Sequence, residues 1–386
     1  MRREAGGAGA PVHGGRARAR RPGSRAPGTL LAPSPTSLGR GRVHVSGVAG
    51  AEPEGGALLE VRGLETFFYR RGRFGVVRLD DYVAAVDGVS FSVREGEALG
   101  IVGESGCGKT TLGRTILRLV PATAGSVRYR GEEILGLGGA ALRAKRREMQ
   151  MIFQDLDAAL NPKMRVEELL AEALTLHRKA PPPEIRRRSE ELLGLVKLKP
   201  AKLAAFPPEL SGGEKRRVSI ARILAVEPRL IVADEPLSAL DVSIAAQVAN
   251  LMRDLQESLG LTYLFISHDL RMVQLVAHRV MVMYLGQVVE MAPAHTLATG
   301  AAHPYSRLLW AAVDPYTGLR TEPGGASARW EISEAERPRT GCRFRDRCPV
   351  YHAKGEPAVC RDKESEPRLT ELSPGHLVAC HFPQGS

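Results

Sequence analysis

Short apolar runs bounded by turn residues recur through the chain. Leu58-Leu59-Glu60-Val61, Gly88 to Val93, Ala98 to Val102, Met149 to Phe153, Arg229 to Asp234 and Leu264 to Ser267 each have the length of a buried strand. Between them lie segments of helical period. The clearest are Thr111 to Val120, Val166 to about Leu198 with a proline-rich break at Ala180-Pro181-Pro182-Pro183, and Lys215 to Ala225. Apolar strands alternating with amphipathic helices predict an α/β core around a mostly parallel sheet. Phe67-Phe68-Tyr69 is an aromatic cluster ahead of a basic loop, Arg70 to Arg78.

Polar residues with defined chemistry stand where these strands end. Gly103-Glu104-Ser105-Gly106-Cys107-Gly108-Lys109-Thr110 joins the strand Ala98–Val102 to the following helix. Glycines at this spacing let the backbone curl its N–H groups toward phosphates, and the helix N-terminus adds partial positive charge. Lys109 suits the β- and γ-phosphates, and the Thr110 hydroxyl suits Mg²⁺. Leu210-Ser211-Gly212-Gly213-Glu214 opens another helix, with Ser211 as cap and exposed glycine N–H groups as a second phosphate surface. The strand Arg229–Asp234 ends in paired carboxylates, an expensive placement unless a cation or a proton transfer is involved. Asp234 suits Mg²⁺, and Glu235 suits polarising an attacking water. Leu264-Phe265-Ile266-Ser267 leads to His268 and Asp269.

Charge and composition refine the picture. Of the net +11, residues 1–50 carry nine Arg, no Lys and one Glu, which leaves +3 for the rest. The basic balance therefore describes a leader, not a folded nucleic-acid face. That leader, residues 1–56, is rich in Arg, Gly, Ala and Pro and is expected to be disordered, since it has too little apolar surface to offset ordering entropy. It lacks the apolar core of a secretory signal. The chain has no apolar run of about 18 residues, which excludes a membrane-spanning helix.

Taken together, these motifs resemble the nucleotide-binding subunit of ATP-binding-cassette (ABC) transporters, from about Leu58 to Pro293. The phosphate loop Gly103–Thr110, the glutamine-loop residue Gln154, the signature Leu210–Glu214, the carboxylates Asp234 and Glu235, the loop Ser238–Asp241 and the switch residue His268 follow in the family's order. The resemblance implies ATP and Mg²⁺ as cofactors. It assigns nucleotide contacts to Phe68, Gly103, Ser105, Gly106, Cys107, Gly108, Lys109, Thr110 and Thr111. It gives Thr110, Gln154 and Asp234 to Mg²⁺, makes Glu235 the general base, and sets His268 against the γ-phosphate. Ser211, Gly212, Gly213 and Asp241 belong to the opposing cassette's site, because two such domains meet head to tail. The implied fold has an antiparallel β part, a helical subdomain at about 154–209, and a cassette spanning 57–293. Glu214 departs from the family's usual Gln, and an extra carboxylate there is expected to weaken nucleotide affinity or slow turnover.

A narrower resemblance is to the oligopeptide, dipeptide and nickel importer subgroup. It rests on Ala85 to Phe91, Gln154-Asp155 with Leu160-Asn161-Pro162, His303-Pro304-Tyr305, and the stretch Gly341 to Pro349 with Cys360, Pro374-Gly375-His376 and Ala379-Cys380-His381. It implies an ATPase at the cytoplasmic face of the inner membrane. Its implied partners are a second, different ATPase chain, two permease chains and an extracytoplasmic solute-binding protein, with no nucleic acid. The rival is a soluble ABC ATPase of a nucleic-acid or phosphonate-processing complex. The region 294–386 holds Cys342, Cys348, Cys360 and Cys380, spaced unlike the tight pairs of a zinc ribbon. Cys348-Pro349 resembles the end of a ferredoxin ligand run. The subgroup implies a [4Fe–4S] cluster there; zinc and four reduced thiols are the other readings.

Overall fold

A computed structural model of the chain describes residues 56–71, 77–155, 160–313 and 340–384. The leader expected to be disordered falls almost wholly outside these residues. The strands begin with β1 (Leu59–Arg71), β2 (Val77–Val93), β3 (Ala98–Val102) and β4 (Ala124–Tyr129). They continue with β5 (Glu132–Glu133), β6 (Met149–Ile152), β7 (Leu230–Asp234) and β8 (Thr262–Ile266). The last are β9 (Arg279–Tyr284), β10 (Gln287–Pro293), β11 (Thr370–Ser373) and β12 (His376–Val378). One sheet has the order β2-β1-β4-β5, and the other β11-β12-β10-β9-β3-β8-β7-β6. In the larger sheet β9, β3, β8, β7 and β6 run parallel, while β10, β12 and β11 extend it antiparallel.

Side-chain alternation explains why the central strands read as unbroken apolar runs. Ala98, Ile231, Ala233, Tyr263 and Phe265 enter one core. Their neighbours Leu99, Ile101, Leu230, Val232, Leu264 and Ile266 enter a second core on the other face. A strand buried on both faces has no polar side to show. The second core is closed by the smaller sheet and by α1 (Lys109–Ile116). Before the parallel strands resume, α2 (Gly139–Glu148) crosses the surface without a buried residue.

The opening hairpin is longer than its apolar runs suggest, at 13 and 17 residues. Register shifts between Val61 and Leu64 and again between Thr66 and Phe67 interrupt the alternation that a sequence pattern relies on. The helical part forms α3 (Val166–Leu176), α4 (Ile185–Leu195) and α5 (Gly212–Leu224), with the expected proline break as a 3₁₀ turn at Pro182–Glu184. The core continues through α6 (Val242–Leu259) and α7 (Leu270–Val276).

The C-terminal part is built onto the cassette across the division expected at residue 293. After α8 (Ala294–Gly300) and α9 (Pro304–Val313), α10 (Pro349–Ala353) carries Tyr351 into the main core, and β12 pairs with β10. Glu290 of β10 locks this join. Fully buried, its carboxylate accepts from the Ala302 amide at 2.7 Å, the His303 amide at 3.0 Å and His376 Nε2 at 2.7 Å. His303 Nδ1 accepts from the Tyr305 amide at 3.0 Å.

Burial pulls the His303 pKa from its ordinary 6.5 to about 4, with Glu290 opposing the shift. The folded chain therefore keeps His303 neutral, and an unfolded chain gains a proton first as pH falls. The associated stability is fully present above about 6.5 and is lost progressively toward about 4. Thermal unfolding across this window should show a shallower acid loss for His303→Asn, whose Oδ1 can accept from Tyr305. Equal slopes in the two chains would refute this assignment.

Candidate active site

The phosphate loop is shaped by close backbone approach. At Gly108, with φ of 108°, a Cβ would lie 1.9 Å from the Ala85 carbonyl oxygen, so only glycine fits. From there α1 starts, and its first-turn N–H groups have no partner within the helix. Lys109, buried, donates to the carbonyls of Gly103 at 2.7 Å and Glu104 at 2.9 Å. Residues Ser105 to Thr111 line an open cleft, together with Gln154 and Glu235. Val83, Ala84 and Ala85 of β2 and the β9–β10 turn residues Leu285 and Gly286 complete its walls.

β7 delivers the paired carboxylates. Asp234 is fully buried, and its Oδ1 accepts from the Thr110 hydroxyl at 2.7 Å. Its Oδ2 has no hydrogen-bond partner, with the Arg114 guanidinium 3.9 Å away. Burial raises the Asp234 pKa, while Thr110 and Arg114 pull it back. An orphaned carboxylate oxygen beside a threonine hydroxyl fits a hard divalent cation, which would satisfy both. Glu235 sits at φ 48°, a strained conformation for a residue with a Cβ. Its amide donates to the Ile266 carbonyl at 2.9 Å, which holds it there. One Glu235 oxygen accepts from Gln154 Nε2 at 2.8 Å, and the other stands 3.2 Å from His268 Nδ1. Three expected site residues, 81 and 33 positions apart in sequence, thus meet at one carboxylate.

The remaining expected residues divide. Gly103 is not among the cleft residues, although its carbonyl accepts from the cleft residue Lys109. Cys107 lines the cleft and is buried, which raises its thiol pKa; its carbonyl accepts from the Gly286 amide at 2.8 Å. Phe68 pairs in register with the cleft residue Val83, so the two share a face, whereas Phe67 and Tyr69 pack on Tyr82. Ser211, Gly212, Gly213 and Asp241 are not among the cleft residues. They stand at the N-termini of α5 and α6, where Ser211 and Asp241 act as caps. A Cβ at Gly213 would come 2.6 Å from Ile244, so this glycine lets the two helix starts approach.

Glu214 does not project a free charge. It accepts from the Ser211 amide at 3.1 Å in a capping box and pairs with Lys202 at 2.7 Å. The Lys202 ammonium is the main cause holding its pKa below the usual carboxylate range. Sequence reading missed the walls from β2 and the β9–β10 turn, because nothing local marks residues brought in from so far along the chain.

Cys342, Cys348, Cys360 and Cys380 line a single small cavity with Phe344 and Tyr351. Burial keeps them protonated: the Cys342 thiol is pushed up to about 11 and Cys380 to about 12, and Cys348 and Cys360 also rise. The donor set suits a soft metal centre, but the spacing does not: among the described residues no three His, Cys, Asp or Glu side chains stand close enough to hold an ion.

Comparison with known proteins agrees with this geometry. Residues 86–238 match the ABC transporter family, and residues 289–354 match the oligopeptide/dipeptide transporter C-terminal region. The oligopeptide transport ATP-binding protein AppF of Bacillus subtilis is 44% identical over 328 residues, covering 84% of this chain and 97% of AppF. A Brucella ovis protein named for peptide import and ATP binding is 43% identical over 324 residues, with the same coverage. Among solved structures, the dimeric post-hydrolysis ATP-binding cassette MJ0796 bound to ADP and Pi is 28% identical, with a TM-score of 0.54 over 61% of this chain and 98% of that one. The cbiO1 protein of Clostridium perfringens, part of an ABC transporter complex, is 25% identical with the same TM-score over 62% of this chain and 90% of its own. The chain belongs to the ABC transporter ATP-binding proteins, with the C-terminal region of the oligopeptide/dipeptide transporters.

Proposed function

We propose that this ATPase powers a membrane importer of oligopeptides, dipeptides or a related small solute. The observation that carries the reading is the Glu235 carboxylate, held between Gln154 and His268 at the edge of the phosphate-loop cleft. The match at residues 289–354 favours import over a nucleic-acid or phosphonate-processing complex. No helix among the described residues is long and apolar enough to cross a membrane. The partners are two permease chains, a second ATPase chain and an extracytoplasmic solute-binding protein, and the location is the cytoplasmic face of the inner membrane.

In this reading ATP enters the cleft with its adenine against Phe68 and its phosphates on the loop N–H groups and Lys109. Thr110, Asp234 and Gln154 would hold Mg²⁺, which would supply neutralisation of phosphate charge. Glu235 takes the proton of the attacking water, and His268 positions that water against the γ-phosphate. Ser211, Gly212, Gly213 and Asp241 face the nucleotide of the second cassette, which explains why capped helix starts lie away from this chain's own cleft.

For the four thiols the subgroup resemblance favours a [4Fe–4S] cluster first and zinc second; they line one cavity, but no three stand close enough to share an ion, so binding would require the segment to close further. Such a centre would staple the tail and displace the thiol protons. Anaerobically purified protein should contain about four iron and four sulfide per chain, or about one zinc. Four thiols titrating freely in metal-free protein would refute this part.

Glu235→Gln should cut ATP hydrolysis by the assembled complex at least ~100-fold, in keeping with loss of a general base, while MgATP binding persists. Hydrolysis near the native rate would remove Glu235 from its role. Glu214→Gln retains the capping box and loses only a half-exposed ion pair. It should change stability by less than about 1 kcal/mol and turnover by less than about twofold. A large gain in rate would restore the idea that this carboxylate inhibits the site.

A further inference from the structure

The phosphate loop carries a carboxylate of its own. Glu104 stands one residue after Gly103, its side chain outside the cleft lining and only 17% exposed. An anion this near a triphosphate opposes binding, and half-burial weakens its screening by water. Its charge is met from 243 residues away. Arg347 Nη1 donates to Glu104 Oε2 and Arg347 Nη2 to Oε1, each at 2.9 Å, a two-pronged fork. The guanidinium also lies 5.8 Å from the ring centres of both Tyr284 and Phe344. The Glu104 amide in turn donates to the Tyr305 hydroxyl at 2.9 Å. Tyr284, Tyr305 and Phe344 form a packed aromatic trio beneath these bonds, with centroids 4.6 to 5.4 Å apart.

The segment supplying Arg347 is itself fixed. It runs between Cys342 and Cys348, and the Cys342 amide donates to the Cys360 carbonyl at 2.9 Å. Arg343 of the same segment donates to the Leu285 carbonyl and pairs with Asp87, so it also holds a wall of the cleft.

We propose that Arg347 is a positioning residue for MgATP, neutralising Glu104 within the phosphate loop and pinning the loop from outside the cleft. Without it, the loop presents an unpaired carboxylate close to the phosphates and loses one of its two C-terminal anchors. The inference rests on the phosphate loop being the nucleotide site.

Arg347→Met keeps the apolar stem over the rings and removes the charge. In the purified full-length chain, calorimetric titration with MgATP should show Kd raised about tenfold, ~1.4 kcal/mol. Adding Glu104→Gln to that variant, or using Arg347→Lys alone, should bring Kd back to within about threefold, since each removes the net negative charge. In the assembled complex KM for ATP should rise with kcat within about twofold, because Glu104 faces away from the reacting atoms. An unchanged Kd in folded Arg347→Met, or no rescue by Glu104→Gln, would overturn the proposal. If Arg347→Met does not fold, Glu104→Gln is measured alone. It leaves Arg347 unopposed and should tighten binding about threefold, and an unchanged Kd overturns the proposal equally. Lys109→Ala, run alongside, separates the two levels: intact binding there refutes the nucleotide site itself. Lost binding there with native affinity in Arg347→Met refutes only the brace.

Discussion

The parallel register of β3, β8 and β7 aligns every part of the cleft. Ile266 of β8 lies opposite both Ile101 of β3 and Asp234 of β7. The next residues of the three strands therefore emerge at one sheet edge: the phosphate loop, Glu235, and Ser267 with His268. The Ser267 amide donates to the Ile101 carbonyl at 3.1 Å and the Glu235 amide to the Ile266 carbonyl at 2.9 Å, carrying the ladder one step past the strands. A slip of one residue would turn Asp234 into the core and send its neighbours to the opposite face. The two apolar cores, one on each side of the sheet, make that slip prohibitive. Hydrophobic burial thus fixes the distances on which the polar chemistry relies.

In the proposed reading, the site so built is half of a catalytic centre. Phosphate-loop N–H groups, Lys109, Asp234, Glu235 and His268 gather at one edge, while the helix starts capped by Ser211 and Asp241 open elsewhere on the surface. Their exposure leaves the helix dipole and the first-turn N–H groups not taken by the caps open to solvent, as the two-cassette reading requires. Gly213 is needed for a different reason than phosphate contact alone, since it allows the α5 and α6 starts to touch. Arg216, fully buried in α5, donates to the Phe153 carbonyl at 3.0 Å, which links the signature helix directly to the residue preceding Gln154.

Local chemistry was legible in the sequence, and long-range contact was not. The phosphate loop, the Asp234–Glu235 pair and the cap at Ser211 each declare themselves within a few residues, because glycine spacing, strand apolarity and capping are short-range constraints. The length of the opening hairpin was hidden by its register shifts, which break the two-residue period. Glu214 looked like a stray charge because its partner Lys202 lies in a separate 3₁₀ turn. The tail was harder still. Its β12 joins the main sheet and its Arg347 reaches Glu104, contacts that no spacing rule encodes.

A divided site has a direct kinetic signature. The measurement is steady-state ATP hydrolysis per chain, comparing the isolated protein over a range of concentrations with the complex recovered from its own host in mild detergent. A site completed by a second cassette predicts a slow rate in dilute isolated protein. It also predicts a much faster rate in the complex, reduced when this chain's Ser211, which would face the partner cassette's nucleotide, is replaced by Arg. A full, concentration-independent rate from the dilute chain alone would contradict it.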